Sequence, residues 1–153
     1  MANSQAACTS FKVDLLNGLH AFGASVIRAA TTKDTFKGAL YFATASIGAG
    51  TTAYSATGEV GNSGSYAAGG IAFTTATAPN SSGTTAFFTP SASWTTGAGF
   101  SAAAFDCILM YNDTAAGKNA VASFTFGSQT IVAGTFTLTM PVNDATTGLL
   151  RIA

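Results

Sequence analysis

Few residues of this chain could do chemistry, and they lie far apart. The single histidine, His20, follows Asp14 by six residues on a predicted helix, which places the two side chains on different faces. A hydrolytic triad needs a base that contacts both its nucleophile and an orienting acid. The spacing therefore predicts that His20 makes an ordinary hydrogen bond and has no catalytic role.

The other candidate groups are equally scattered. Asp106, Asp113 and Asp144 form no pair in sequence, and we predict that Asp113 and Asp144 cap turns. Cys8 and Cys107 belong to no CxxC motif, and one histidine cannot complete a zinc site with them. We expect both to be free thiols that pack as small hydrophobic groups. The sequence thus predicts no catalytic residue, no metal site and no cofactor.

One glycine-rich segment matches a dinucleotide-binding motif but lies in the wrong structural context. GAGFSA at 97–102 matches the dinucleotide pattern GxGxxA, but it precedes a predicted strand, whereas that motif follows a strand and opens a helix. The formal net charge is zero and basic residues do not cluster, so we expect no nucleic-acid partner. We also expect no small-molecule ligand. The sequence favours a protein that is not an enzyme.

Targeting and membrane segments are not predicted. Residues 1–10 have neither the basic nor the apolar part of a secretory signal. The most apolar stretch, 100–111, contains Asp106 and is shorter than the roughly 20 residues that span a bilayer. We therefore expect no membrane partner.

Composition favours a single folded domain over residues 1–153. Only 8% of the residues are charged, against about 25% in an ordinary domain, while 48% are hydrophobic. Ala, Thr, Gly and Ser supply more than half of the chain. Because disordered chains are poor in apolar residues and rich in charge, this chain should fold.

The hydrophobic pattern predicts a helix followed by strands. Residues 1–10 form an N-terminal arm, and the spacing of Phe11, Leu15, Leu19 and Phe22 predicts a helix over 11–23. From residue 35 the period changes to two, with Gly, Asn, Pro and Ser at the turns. The predicted strands are 36–43, 71–78, 84–89, 91–96, 100–111, 121–126 and 135–142. We predict a mainly β fold, an antiparallel β-sandwich or jelly-roll-like barrel over 35–153 with one N-terminal α-helix.

The charges are unevenly distributed along the chain. Between Tyr41 and Phe105 the only charged residue is Glu59. A surface this neutral is typical of a subunit that packs against neighbours, although a Thr- and Ser-rich surface without a partner is the alternative. Four aromatic residues could anchor either the core or an interface: Trp94, Tyr54, Tyr66 and Phe73.

Several short sequence segments, in their order and spacing, resemble those of small structural proteins of tailed-bacteriophage virions. They cover most of the chain: CTSFK (8–12), DTFK (34–37), ALY (39–41), YSATGEV (54–60), YAAGG (66–70), Trp94, ILMYN (108–112), FTFG (124–127) and GTFTLT (134–139). The chain departs from that pattern at Gly38, where a large aliphatic residue is usual, and at AAA (102–104).

The resemblance implies a virion structural protein, and its size and β content are similar to those of capsid decoration, or cement, proteins. The implied partners are the major capsid protein or other virion subunits, with self-association, and residues 1–10 as a docking segment. The implied location is the capsid exterior, after synthesis in the host cytoplasm. The alternatives are a tail, neck or adaptor component, and a β-sandwich module for host or carbohydrate adhesion.

Overall fold

A computed structural model describes residues 2–8, 11, 19–20, 22, 33–73, 79–83, 85–90 and 93–152. Within these residues the regular elements are ten β-strands. Their bounds are β1 Ala6–Ala7, β2 Phe36–Phe42, β3 Ile71–Phe73, β4 Asn80–Ser82, β5 Thr85–Phe88, β6 Trp94–Thr95, β7 Phe100–Asn112, β8 Ala120–Gly134, β9 Thr137–Leu138 and β10 Leu150–Ile152.

The strands form three sheets, and every pairing is antiparallel. The large sheet has the order β1-β8-β7-β2-β3, and the smaller sheets have the orders β10-β5-β4 and β6-β9. The prediction of a mainly β, antiparallel fold is confirmed. Of the helix predicted over 11–23, the structure describes Phe11, which is helical, and Leu19, His20 and Phe22, which are not; the other residues, Asp14 among them, lie outside the described ranges.

Strand β7 is the centre of the large sheet. It pairs with β2 on one side and with β8 on the other, and residues 107–112 are buried on both faces, as their apolar pattern predicts. Residues 101–104 are exposed or half-buried, since β2 ends opposite Phe105 and leaves them uncovered. There β7 and β8 continue as a two-stranded ribbon.

Aromatic contacts join the smaller sheets to the large one. Phe22 stacks on Phe36 of β2 with ring centroids 4.6 Å apart, and it also contacts Phe88 of β5 at 5.3 Å. Phe105 of β7 meets the ring of Phe136, which directly precedes β9, edge to face at 5.1 Å. The three sheets therefore contribute to one hydrophobic core.

The N-terminal arm is bound to the chain's own sheet. Asn3 donates to the Phe42 carbonyl and to Asp106, and it accepts from the Ile47 N–H. Strand β1 then pairs with β8. Asn3, Ala6 and Ala7 thus contact the chain's own sheet, and the docking role of residues 1–10 stays a prediction.

Two local predictions change in the structure. The alternation over 135–142 is visible in burial, with Phe136 and Leu138 half-buried between exposed threonines, but only Thr137–Leu138 forms a strand. Its partner β6 is two residues long and Pro141 has no N–H to donate, so no longer ladder forms. Residues 79–83 separate the predicted strands 71–78 and 84–89, but in the structure Asn80–Ser82 of this segment form β4 and pair with β5.

Two glycines allow strands to approach closely beside β2. A Cβ atom on Gly38 would lie 2.4 Å from the Phe73 ring, so the departure from the resembled pattern at this position makes room for β3. Gly70 has φ +79°, and a Cβ there would lie 2.2 Å from the carbonyl oxygen of Gly38. Both positions require the absence of a side chain.

Gly70→Ala should destabilise the fold. We expect a loss of about 1–3 kcal/mol from the left-handed backbone alone, with the clash against Gly38 adding to it. The matched control is Gly61→Ala, whose new Cβ would meet no atom within 4 Å. Urea unfolding followed by the fluorescence of Trp94 measures both. Equal losses in the two variants would contradict the predicted close approach.

Candidate functional site

The most distinctive polar site lies beside the edge of β2. Strand β3 pairs with β2 only as far as Gly38, and residues 58–60 occupy the rest of that edge. The Val60 N–H donates to the Leu40 carbonyl at 2.9 Å, and the Phe42 N–H donates to the Gly58 carbonyl at 3.0 Å. This pairing turns the Glu59 side chain inward, where the residue is 7% exposed.

The Glu59 carboxylate accepts three hydrogen bonds. The Tyr54 hydroxyl donates to Oε2 at 2.6 Å, and the Tyr66 hydroxyl donates to Oε1 at 2.7 Å. The backbone N–H of Gly69 donates to Oε1 at 2.8 Å. Because a buried charge is costly unless it is hydrogen-bonded, these donors are what allow Glu59 to sit inside the protein.

The remaining tyrosines complete the same site, so all four tyrosines of the chain take part. The Tyr111 hydroxyl donates to the Gly69 carbonyl at 2.5 Å, and its ring stacks on Tyr54 at 4.7 Å. The Tyr41 hydroxyl donates to the Ser55 carbonyl at 2.5 Å. Glu59 and these four residues are called the glutamate–tyrosine cluster.

Burial keeps the cluster's hydroxyls protonated into the alkaline pH range. It raises the pKa of Tyr41 and of Tyr111 to about 12. Burial, and after it the hydrogen bond to Glu59, raises the pKa of Tyr54 and of Tyr66 above the ordinary value for tyrosine. Protonated hydroxyls donate hydrogen bonds and are poor nucleophiles. The cluster is therefore suited to holding backbone segments in place.

His20 lies in a second buried polar group. Its Nδ1 is 3.2 Å from the side-chain nitrogen of Asn112, which also donates to Asp34 at 2.9 Å. The ring packs among Phe11 and Phe36, and the residue is buried. An ordinary hydrogen bond for His20 is what the sequence predicted.

The three scattered aspartates each have a partner within the chain. Asp144 accepts from the N–H groups of residues 146 and 147, the turn cap predicted for it, and these bonds lower its pKa. Asp113 instead pairs with Lys118 and Lys37, and the hydrogen bond from Lys118 is the main cause that lowers its pKa. The turn after β7 is capped by Asn112, whose Oδ1 accepts from residues 114 and 115. Asp106 accepts from Asn3.

Both cysteines are buried free thiols, as predicted. Burial raises the pKa of Cys8 to about 11 and that of Cys107 to about 12, so neither is a thiolate at neutral pH. Across the described ranges, no three His, Cys, Asp or Glu side chains are close enough to share a metal ion. In that same part of the chain, no helix is long and apolar enough to cross a membrane.

The four aromatic candidates are all in contact with the core. Tyr66 and Phe73 are buried within it, while Tyr54 and Trp94 are half-buried at its boundary. The Trp94 ring meets Tyr66 edge to face at 5.8 Å. All four therefore pack in or against the core, and their role in an interface stays a prediction.

Glu59 was not predicted from the sequence to be the centre of a site. Its isolation among uncharged residues and the tyrosines near it in sequence were a usable signal.

A cavity of about 1220 Å³ lies between β1, β8 and the last residues of the chain. Its lining is mainly apolar and includes Phe124, Pro141 and Leu150. Among the lining residues that the structure describes, Arg151 alone is charged, and it donates to the Thr146 carbonyl. The described lining of the cavity is thus mainly apolar and contains no carboxylate, histidine or cysteine side chain.

Comparisons of the chain with protein-family models, with curated proteins and with solved structures find no match. Inference of function therefore rests on the chain's own residues and surfaces.

Glu59→Gln should lower the free energy of unfolding by about 1–3 kcal/mol, because an amide nitrogen cannot accept from a tyrosine hydroxyl or a backbone N–H. Tyr54→Phe should cost less in the Glu59→Gln background than in the native chain, with a coupling of about 0.5–3 kcal/mol. Urea unfolding of the two single variants and the double variant measures this coupling.

Tyr41→Phe is the matched control for that cycle. The Tyr41 hydroxyl bonds to Ser55 and not to Glu59, so its coupling with Glu59→Gln should be smaller. Equal coupling for Tyr41 and Tyr54 would mean that the hydrogen bonds to the carboxylate do not stabilise the site.

The same tyrosines predict a loss of stability at alkaline pH. Their pKa values are raised in the folded chain, so above about pH 10 the unfolded chain releases protons that the folded chain keeps. The free energy of unfolding then falls by up to about 1.4 kcal/mol per pH unit for each such tyrosine. We expect the urea midpoint to fall as pH rises above about 10, and to fall less steeply in Tyr41→Phe. A midpoint that does not change up to about pH 12 would contradict this expectation.

Proposed function

We propose that this chain is a structural protein of a bacteriophage virion and that it acts as a capsid decoration (cement) protein. The observation that carries the proposal is the surface formed by residues 38–105. Glu59 is the only charged residue in that range, and it is 7% exposed, with its carboxylate bonded inside the glutamate–tyrosine cluster. This part of the chain consequently presents almost no charge to its surroundings.

A neutral surface suits a subunit that binds a repeating lattice. Such a subunit can bind through hydroxyl groups, apolar atoms and main-chain hydrogen bonds, and many weak contacts add together when the lattice repeats. The carboxylates of Glu59, Asp106, Asp113 and Asp144 all accept hydrogen bonds from other groups of the chain. These features support a protein that works by binding, and the resemblance to virion proteins supports the kind of assembly.

The finer architecture belongs to the same proposal. We propose that the large sheet and the two smaller sheets pack as a β-sandwich with jelly-roll-like connections, with one N-terminal helix that ends before Leu19. The contacts of Phe22 with Phe36 and Phe88, and of Phe136 with Phe105, support packing between sheets. The proposed partners are the major capsid protein, other virion subunits and further copies of this chain. The proposed place is the capsid exterior.

The alternatives are separable by experiment. A tail, neck or adaptor role predicts about a dozen copies in each particle, whereas decoration scales with the hundreds of capsid subunits. An adhesion module would need exposed aromatic rings for sugar stacking. Trp94 is half-buried against Tyr66 and Phe136, which gives that alternative no support.

Mass spectrometry of gradient-purified particles tests the proposal. The particles are those assembled from the genome that encodes this chain. We expect the chain in the particles, at a copy number comparable to that of the major capsid protein. Particles that assemble without the gene should release their DNA at lower temperature, and added purified protein should restore the native temperature. Absence of the chain from intact particles would overturn the proposal, and about a dozen copies would move the chain to the neck or tail.

A further inference from the structure

The outer edge of β8 is open over most of its length. Strand β1 covers β8 only opposite Ala122 and Ser123. Over 125–134, β8 pairs with β7 on its inner side, and no other strand of the described residues pairs with its outer side. In an antiparallel ladder, alternate residues direct both the N–H and the C=O to the same side. Where this alternation holds, residues of the segment present main-chain groups outward, although the register shifts between β7 and β8 interrupt it and the Gly127 carbonyl accepts from the Gln129 side chain.

The composition of this edge lacks the usual protection against pairing. Natural edge strands are commonly protected by charged residues, especially lysine, by proline, or by a covering element. No charged residue occurs from 119 to 143, and the first proline after β7 is Pro141. Residues 127–130 are exposed, and Val132 is 84% exposed. Register shifts between β7 and β8 bend the strand, but it continues to Gly134.

We propose that the edge formed by residues 125–134 pairs antiparallel with the same edge of a second copy, joining two copies across a two-fold axis. This inference deepens the proposed function and rests on the self-association that it includes. A strand paired with itself about a two-fold axis offers each copy the complement of its own donors and acceptors. Ten residues span about 33 Å, and a regular pairing of that length forms about ten main-chain hydrogen bonds, a number that the register shifts and the positive φ of Ala133 reduce.

The charge of the edge favours a second copy as the occupant. Two identical charged edges would repel one another, whereas two neutral edges carry no such cost. A charged partner would find no opposite charge on this strand. The other outer edges are short, with three residues each in β3 and β4.

Sedimentation velocity of the purified full chain tests the pairing with a matched pair of variants. Val132→Lys places a charge on the edge, while Val142→Lys places one at a position that is 71% exposed and outside any strand. We expect the native chain to dimerise, Val132→Lys to raise the dissociation constant at least about tenfold, and Val142→Lys to leave it unchanged.

Hydrogen exchange of the native chain supplies a second measurement that needs no variant. Amides of 125–134 should become more protected as concentration rises, while those of the short β4 edge should not change. A chain that is monomeric up to about 1 mM would overturn the pairing, and so would equal effects of the two lysine variants. Protection that appears only when capsid protein is added would also overturn it. Failure here would leave the particle assay of the proposed function unaffected, so the two inferences can fail separately.

Discussion

The fold depends on one buried carboxylate. Burying Glu59 without partners would be costly, so the chain must bring three donors to it from Tyr54, Tyr66 and the Gly69 backbone. These donors lie on a long irregular connection that has almost no regular pairing of its own. The carboxylate therefore fixes the path of residues 53–70, and this path in turn covers the edge of β2 beyond Gly38.

The constraint extends from the carboxylate into the sheet. Tyr66 accepts from the Leu40 N–H of β2, and Tyr111 of β7 donates to the Gly69 carbonyl, so both central strands are tied to the same loop. Gly69 and Gly70 have φ values of +93° and +79°, and this backbone places the Gly69 N–H against Glu59. The polar network specifies where this loop lies, whereas hydrophobic contacts are nondirectional and would fix its position less well.

Local pattern predicted the strands better than it predicted their pairing. The sequence pattern located β2 and β7 closely, because both strands are largely buried and their residues are correspondingly apolar. It missed 127–134 of β8, where Gly127, Ser128 and Gln129 carry little hydrophobic signal and β7 supplies the pairing partner. It overestimated 135–142 for the opposite reason, since alternation without a long partner strand yields only β9. Glu59 was found as an isolated charge, but its three donors lie on an irregular connection whose path could not be predicted from spacing.

Most of the chain's few acidic side chains are bonded to other groups of the same chain. Asp106 accepts from Asn3, Asp113 pairs with Lys37 and Lys118, and Glu59 is enclosed by tyrosines. These groups stabilise the chain's own turns and loops, so few of them remain to direct contacts with other molecules. Any partner of the neutral region must then be recognised by shape, hydroxyl groups and main-chain hydrogen bonds, whose strength depends little on ionic strength. Recognition of that kind is weak at each contact and directional at strand edges, so it favours repeated and symmetric assemblies over single encounters with charged ligands.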